Sequence, residues 1–204
     1  MNAQARIFVV DDDPAVRESL SLLLEQEDFQ VETYDSAAAF LAACPPGPHS
    51  CAIVDIRMPV MDGMQLQAEL TRRGIPLPVI FLTGHGDIPL SVRAIKLGAF
   101  DFLTKPVSGA TLLESVRMAL LESDRLNLIA ASNQSAVERI ASLTEREREV
   151  MALAVAGLSN KETAKRLGIS HRTVEIHRAR VMHKTGAESL VDLVRIAKAG
   201  ATQE

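Results

Sequence analysis

Five short apolar runs recur along the first half of the chain with helical patterns between them, and this alternation constrains the fold more than any other feature. The runs are RIFVV (6–10), QVETY (30–34), CAIVD (51–55), LPVIFLT (77–83) and FDFLT (100–104). Runs of this length bounded by turn residues read as strands, and the continuous one at Cys51–Val54 as a buried strand. Between them, Val16, Leu20, Leu23 and Leu24 recur at i, i+4, i+7 and i+8. Leu66 and Leu70 mark a helix after Asp62, and Val92, Ile95 and Lys96 mark one before Gly98. Leu112, Leu113, Val116, Ala119 and Leu120 mark the last. Asp13-Pro14 fits an N-cap followed by proline at the first helical position. Strands alternating with helices predict βαβ units, and hence an α/β domain on a doubly wound, five-stranded parallel sheet.

Past residue 123 the pattern changes. Residues 124–142 contain no Gly or Pro, and Leu126, Ile129, Val137 and Ile140 have roughly helical spacing. Beyond them every signal is helical. Thr144 with Glu147 and Ser159 with Glu162 form two capping boxes, and Ser170 can cap a third helix. Gly157, Gly168 and Gly186 fall where C-cap glycines fall. These signals predict a small all-α module with a helix-turn-helix. The expected boundaries are a first domain at 1–122, a helical linker at 123–141 and a second domain at 142–204.

Composition removes several functions. The absence of Trp and the single Tyr leave no aromatic platform for stacking single-stranded bases. No apolar run approaches the ~18 residues of a membrane span. The start MNAQARIFVVDDD lacks a cationic region and a cleavage site, which argues against a signal peptide and for a cytoplasmic protein without a membrane partner. Cys44 and Cys51 flank PPGPH and are expected to be a reduced pair rather than a small disulfide loop. The net charge of −4 hides an asymmetry: residues 1–123 carry −7, and residues 124–204 carry +3. Gly157 to Lys184 holds seven basic and two acidic residues, a basic patch that suggests one nucleic-acid face.

In CAIVDIRMPVMDG a carboxylate, Asp55, sits at the exit of a buried strand, where a charge is costly unless compensated. In an open parallel sheet, ligands bind beyond the carboxyl ends of the strands. Asp11 and Asp12 follow the first run, Thr83 closes the fourth, and Lys105 follows the fifth. Each has a bland reading: a strand-end Asp is more often a helix cap, Asp11-Asp12-Asp13 a solvated turn, Lys105 a surface lysine and Phe102 a core residue. Gly63 reads as a turn residue. Brought together, however, three carboxylates would raise one another's pKa. Mg²⁺ would relieve this, because it takes one or two carboxylates, keeps waters and completes its shell with phosphate oxygens. A metal clamp, a lysine, a hydroxyl and a carboxylate nucleophile suit phosphoryl transfer.

Taken jointly, VVDDD, AIVDIRMPVMDG, IFLTGHGD and GAFDFLTKP resemble the landmark motifs of two-component receiver domains, over about residues 5–122. The resemblance implies a flavodoxin-like fold with Asp55 as the phosphoacceptor. It implies Mg²⁺ on Asp11, Asp12, Asp55 and the backbone carbonyl of Arg57. Thr83 and Lys105 would contact the phosphoryl group, and Phe102 stands at the switch-aromatic position. His85, near the expected mouth, reads equally as a tuner of phosphate lifetime and as a plain loop residue.

In the basic tail, SNKETAKRLG and ISHRTVEIHRARVMHKTG read as helix, turn, helix. Val174 and Val181 should pack inward, sharing a face with His177. Arg172, Glu175, Ile176, Ala179 and His183 point roughly the other way. An exposed Ile176 beside small Ala179 suits a major groove, where apolar groups meet the thymine methyl. Arg172, Arg178, Arg180 and Lys184 are candidates for phosphates or guanine edges. Asn160, Lys161 and Thr173 lie near helix starts that favour phosphate. The tail from LTEREREV onward resembles the LuxR-type helix-turn-helix, especially its FixJ branch, over about residues 140–200. In that family the final helix, AESLVDLVRIAK, commonly supports dimerisation, although Leu190, Val191 and Val194 read equally as core. The two resemblances imply a FixJ/NarL-type response regulator. A sensor histidine kinase would phosphorylate it, and it would form a homodimer on double-stranded promoter DNA. It would catalyse only its own phosphoryl transfer and dephosphorylation. The alternatives are a phosphorylation-independent DNA-binding regulator and a Mg²⁺-dependent phosphohydrolase.

Overall fold

The computed structural model describes residues 4–43, 47–84 and 88–201. The chain divides into two compact units, Met1–Asn127 and Leu128–Glu204. The first is built on five strands: β1 (Arg6–Val10), β2 (Gln30–Tyr34), β3 (Ser50–Val54), β4 (Val79–Thr83) and β5 (Asp101–Thr104). All neighbouring pairs are parallel, in the order β2-β1-β3-β4-β5.

Alternation along each strand sorts the core into two layers. Phe8 and Val10, Ala52 and Val54, and Val79 and Phe81 face one way. Ile7 and Val9, Cys51 and Ile53, and Ile80 and Leu82 face the other. Both sides are covered, so these strands read as continuous apolar runs rather than alternating ones. The first face packs α2 (Ala37–Ala43), α3 (Gly63–Arg72) and Ala94 of α4 (Ile88–Lys96). The second packs α1 (Pro14–Glu25) and the start of α5 (Gly109–Ala141). Asp13 caps α1 with Pro14 at its first position, and the capping box of Asp62 and Gln65 opens α3. A cap of this kind contributes about 1 kcal/mol.

Some details depart from the sequence pattern. Val92 and Ile95, which marked α4, are 47% and 49% exposed, and among the described residues of that helix the buried one is Ala94. α2 carries no signal in the periodicity, because AAAFLAA has no polar face. Residues 123–141 are helical as part of α5. The first of them is built into the first unit: Ser123 is buried and its Oγ accepts from the Ser50 N–H at 3.1 Å. Asp124 lies 3.0 Å from His49 Nδ1. Cys51 is a free, buried thiol whose pKa burial pushes up to about 12, while Cys44 lies outside the described residues.

The second unit is helical. α6 (Glu145–Val155), α7 (Asn160–Leu167), α8 (His171–Thr185) and α9 (Leu190–Ala201) follow α5. Both expected capping boxes form, Ser170 caps α8, and Gly168 and Gly186 close α7 and α8 at φ 65° and 67°. The core joins Leu143, Met151, Ala154, Val181, Leu193 and Ile196, with Val150, Ala164 and Val174 in a second group. Leu190 and Val191 are 42% and 78% exposed, so they are surface rather than core. Among the described residues no helix is long and apolar enough to cross a membrane.

Candidate functional site

Strand register brings the acidic residues together. β1 and β3 are neighbours at the point where the strand order reverses, and Val10 pairs with Val54. One residue further along each strand stand Asp11 and Asp55, and the Asp55 N–H donates to Val10 O at 2.8 Å. Crevices at such reversals are the usual ligand sites of open α/β sheets. From β5, Lys105 reaches both acids: its Nζ lies 2.7 Å from Asp11 Oδ2 and 3.3 Å from Asp55 Oδ1. The Lys105 N–H donates to Thr83 O at 2.8 Å, and Thr83 is buried at the end of β4.

The electrostatics are unbalanced. Burial raises the Asp55 pKa above the ordinary aspartate value; the Lys105 charge and the Arg57 N–H, which donates to Asp55 Oδ2 at 2.6 Å, pull it down, and Asp11 adds to the rise. Burial opposes the Lys105 ammonium, but the hydrogen bond and charge of Asp11, with the charge of Asp55, outweigh it and raise its pKa. One ammonium thus serves two buried carboxylates, and a further cation would find uncompensated charge here.

The remaining predicted residues lie around this centre. Asp12 is exposed and, with Ile56, Arg57, Met58, Asp62 and Arg93, lines a cleft of about 750 Å³. Among the described residues no group of three His, Cys, Asp or Glu side chains is already drawn together. The donors nevertheless fit Mg²⁺, which needs only one or two carboxylates and otherwise binds water and phosphate oxygen. Phe102 is partly buried against the first core face. His85 lies outside the described residues.

Two features of the loop after β3 escaped the sequence reading. A Cβ on Gly63 would stand 2.5 Å from Asp55 O, 3.1 Å from Ile56 Cα and 3.1 Å from Phe81 Cε1. Gly63 is therefore required by close packing beneath Asp55, a through-space constraint that turn propensity alone does not reveal. Val60 is fully exposed at φ 69°, inside a turn closed by the Met61 N–H to Pro59 O at 2.8 Å. A β-branched residue with positive φ is strained.

In the second unit, α7 and α8 form the expected helix-turn-helix. Val174 and Val181 are buried. Arg172, Ala179, Arg180 and His183 are exposed, and Ile176 is 42% exposed. Lys161 is exposed and Thr173 half-buried. Glu175 is half-buried, 3.3 Å from Arg172 Nη1. Arg178 Nη1 donates to Asn160 Oδ1 at 2.8 Å, which ties the two helices together. His177 Nδ1 is buried with no hydrogen-bond partner among the described residues.

Lys184 differs from the other basic candidates of α8. Its Nζ lies 2.7 Å from Glu147 Oε2 and 3.3 Å from Ser142 O. The same Glu147 oxygen accepts the Thr144 N–H at 2.9 Å in the capping box. The Lys184 hydrogen bond, then the Thr144 N–H, lowers the Glu147 pKa to about 2. The Lys184 charge is thus paired within the domain.

Comparison with known proteins places both halves. A family described as "Response regulator receiver domain" matches residues 7–117, and one described as "Bacterial regulatory proteins, luxR family" matches residues 141–197. The transcriptional regulatory protein FixJ of Azorhizobium caulinodans is 48% identical over 191 residues, covering 94% of this chain and 90% of the relative. The solved structure of the response regulator StyR has a TM-score of 0.76 at 41% identity, over 96% of this chain and 99% of that one. Full-length FixJ from B. japonicum has a TM-score of 0.59 at 42% identity, with both chains covered completely.

Proposed function

The chain belongs to the two-component response regulators that join a receiver domain to a LuxR-family DNA-binding domain, and from that premise we propose that phosphorylation of Asp55 controls its binding to promoter DNA as a dimer. The family is one of transcriptional regulators rather than classical enzymes. Its receiver implies a sensor kinase as partner, and its output domain implies DNA. A DNA-binding regulator of this kind would work in the cytoplasm.

The observation that carries the proposal is the shared ammonium of Lys105 between Asp11 and Asp55 at adjacent strand ends. Asp55 acts as the nucleophile. Its carboxylate attacks the phosphorus of a phosphohistidine on the kinase; the P–N bond breaks as the O–P bond forms, and the imidazole leaves with the electron pair. Asp11, Asp12, Asp55 and the Arg57 carbonyl would hold Mg²⁺, which when bound neutralises charge on the transferring phosphoryl oxygens. Lys105 exchanges its carboxylate partners for a phosphoryl oxygen, and Thr83 supplies a hydroxyl. These movements repack Phe102 and alter the α4–β5–α5 face, which favours the dimer and frees the output domain.

On DNA, α8 enters the major groove with Arg172, Ile176, Ala179 and Arg180 forward. Glu175, His177 and Thr173 flank them, and Lys161 and Asn160 lie at the start of α7. Arg178 supports this set through Asn160. Exposed Leu190 and Val191 on α9 suit a dimer contact. Two half-sites about one helical turn apart match two-fold symmetry. Treating the chain with acetyl phosphate and Mg²⁺, then measuring mass and DNA affinity on the same samples, tests the proposal. A labelled Asp55 with a dimer and tighter DNA binding is expected. Labelling that leaves both mass and affinity unchanged would favour phosphorylation-independent binding.

A further inference from the structure

We propose that Arg17 is a positioning residue for the acidic site: its guanidinium tethers the β1–α1 turn so that Asp11 and Asp12 present their carboxylates together to a divalent cation. The inference rests on the phosphoryl-transfer reading above and extends it to a residue outside the acidic set. Arg17 occupies the fourth position of α1 after the cap Asp13. A cation near a helix N-terminus opposes the helix dipole, so helical preference does not explain its presence there. Its side chain turns back across the first turn, and Nη1 donates to Asp11 O at 2.6 Å.

Asp11 is consequently held at four atoms. Its N–H donates to Tyr34 O at 3.2 Å, and its carbonyl accepts from Arg17. Oδ1 accepts the Asp13 N–H at 2.9 Å, and Oδ2 meets Lys105 at 2.7 Å. The Lys105 contact must loosen when a cation or phosphoryl group competes for the same oxygens; the Arg17 contact is to the backbone and need not. The carbonyl that Arg17 holds belongs to the peptide joining Asp11 to Asp12. Asp12 is exposed, with no hydrogen bond or ion pair to its carboxylate among the described residues. Only the backbone therefore aims the Asp12 Cβ, and Arg17 holds that backbone from the helix side.

Titrating Mg²⁺ into the ¹⁵N-labelled full chain and following the amide resonances of Asp11–Asp13 and Asp55–Arg57 tests this, on wild type, Arg17→Gln and Arg17→Lys. Arg17→Gln should weaken Mg²⁺ binding about tenfold, the lower end for groups that support metal ligands from outside. The Mg²⁺ concentration for half-maximal phosphorylation by acetyl phosphate should rise by the same factor. The rate at saturating Mg²⁺ should stay within about twofold, as for a loss of binding alone. Arg17→Lys keeps the charge, loses the fork and should weaken binding by less. Equality of either variant with wild type in Mg²⁺ affinity overturns the proposal, so a folding failure of one leaves the other to decide. If wild type itself shows no Mg²⁺ shifts at these residues, the phosphoryl-transfer reading falls, and the tether falls with it.

Discussion

Lys105 and Lys184 set an ammonium against buried carboxylate oxygens, one in each unit. The shortest N–O distance is 2.7 Å in both. The lysine side chains are 27% and 34% exposed, and the acids facing them no more than 10%. The acids nevertheless behave in opposite ways: Asp55 is raised above its ordinary value and Glu147 is lowered to about 2. Burial is the largest cause at Asp55, which also keeps the Arg57 N–H; at Glu147 the hydrogen bonds outweigh burial, and partner supply adds to the difference. Lys105 divides its charge between Asp11 and Asp55, whereas Glu147 has a lysine to itself and the Thr144 N–H besides. A buried charge that is fully matched holds structure together; one that is matched in part is poised to take a further cation or a phosphoryl group.

The largest effect that would break this comparison is expected from Asp55→Asn. It should abolish phosphoryl uptake from acetyl phosphate, read as loss of the slower band on a phosphate-affinity gel. It should also leave the melting temperature of the first unit unchanged or higher at neutral pH. The sign follows from the raised pKa: folding favours the protonated carboxyl, so the ionised form opposes the fold at neutral pH. Glu147→Gln should do the reverse in the second unit and lower its melting temperature. If both variants melt lower by similar amounts, the two pairs are of one kind and the contrast fails.

Next in size is Gly63→Ala. The added Cβ meets backbone at Asp55 and Ile56 rather than a yielding side chain. Overpacking of this sort costs about 2 kcal/mol, and the strain falls on the peptide that carries Asp55. Melting of the first unit and the rate of phosphoryl uptake should both drop, while the second unit melts as before. An unchanged uptake rate would separate the packing of Gly63 from the geometry of Asp55.

How far the sequence revealed these features depends on the range of the physics involved. Strands buried on both faces appear as apolar runs, and caps such as Asp13, Thr144 and Ser159 depend on residues within one turn. All of these were legible. Asp11, Asp55 and Lys105 were legible as strand-exit residues, but their meeting follows from β1 lying beside β3, which the motif resemblance implied and residue spacing did not. α2 was not legible, because AAAFLAA gives no amphipathic contrast. Nor was the Gly63 contact with Asp55. The partner of Lys184 is 37 residues away, and nothing in the local pattern of α8 separates it from Arg180. Basic residues on a recognition helix look alike until the fold shows which of them already face an acid.

That distinction yields the smallest effect, in the DNA-binding unit alone. Arg180→Ala should lower the slope of log affinity against log salt by about one, the loss of one phosphate contact, with melting unchanged. Lys184→Met should leave the slope alone and act on stability, with a defined pH dependence. The Glu147 pKa falls from 4.5 to about 2, chiefly through the Lys184 hydrogen bond. A depressed carboxylate pKa contributes stability that is present above about 4.5 and is lost as the pH falls toward 2. The melting difference between wild type and Lys184→Met should therefore be full at pH 6 and shrink between pH 4.5 and 3. Calorimetry on the full chain gives the melting difference, and anisotropy with labelled duplex at several salt concentrations gives the slope. A slope lowered by about one in Lys184→Met, with melting independent of the substitution at every pH, would return Lys184 to the phosphate contacts and dissolve its contrast with Lys105.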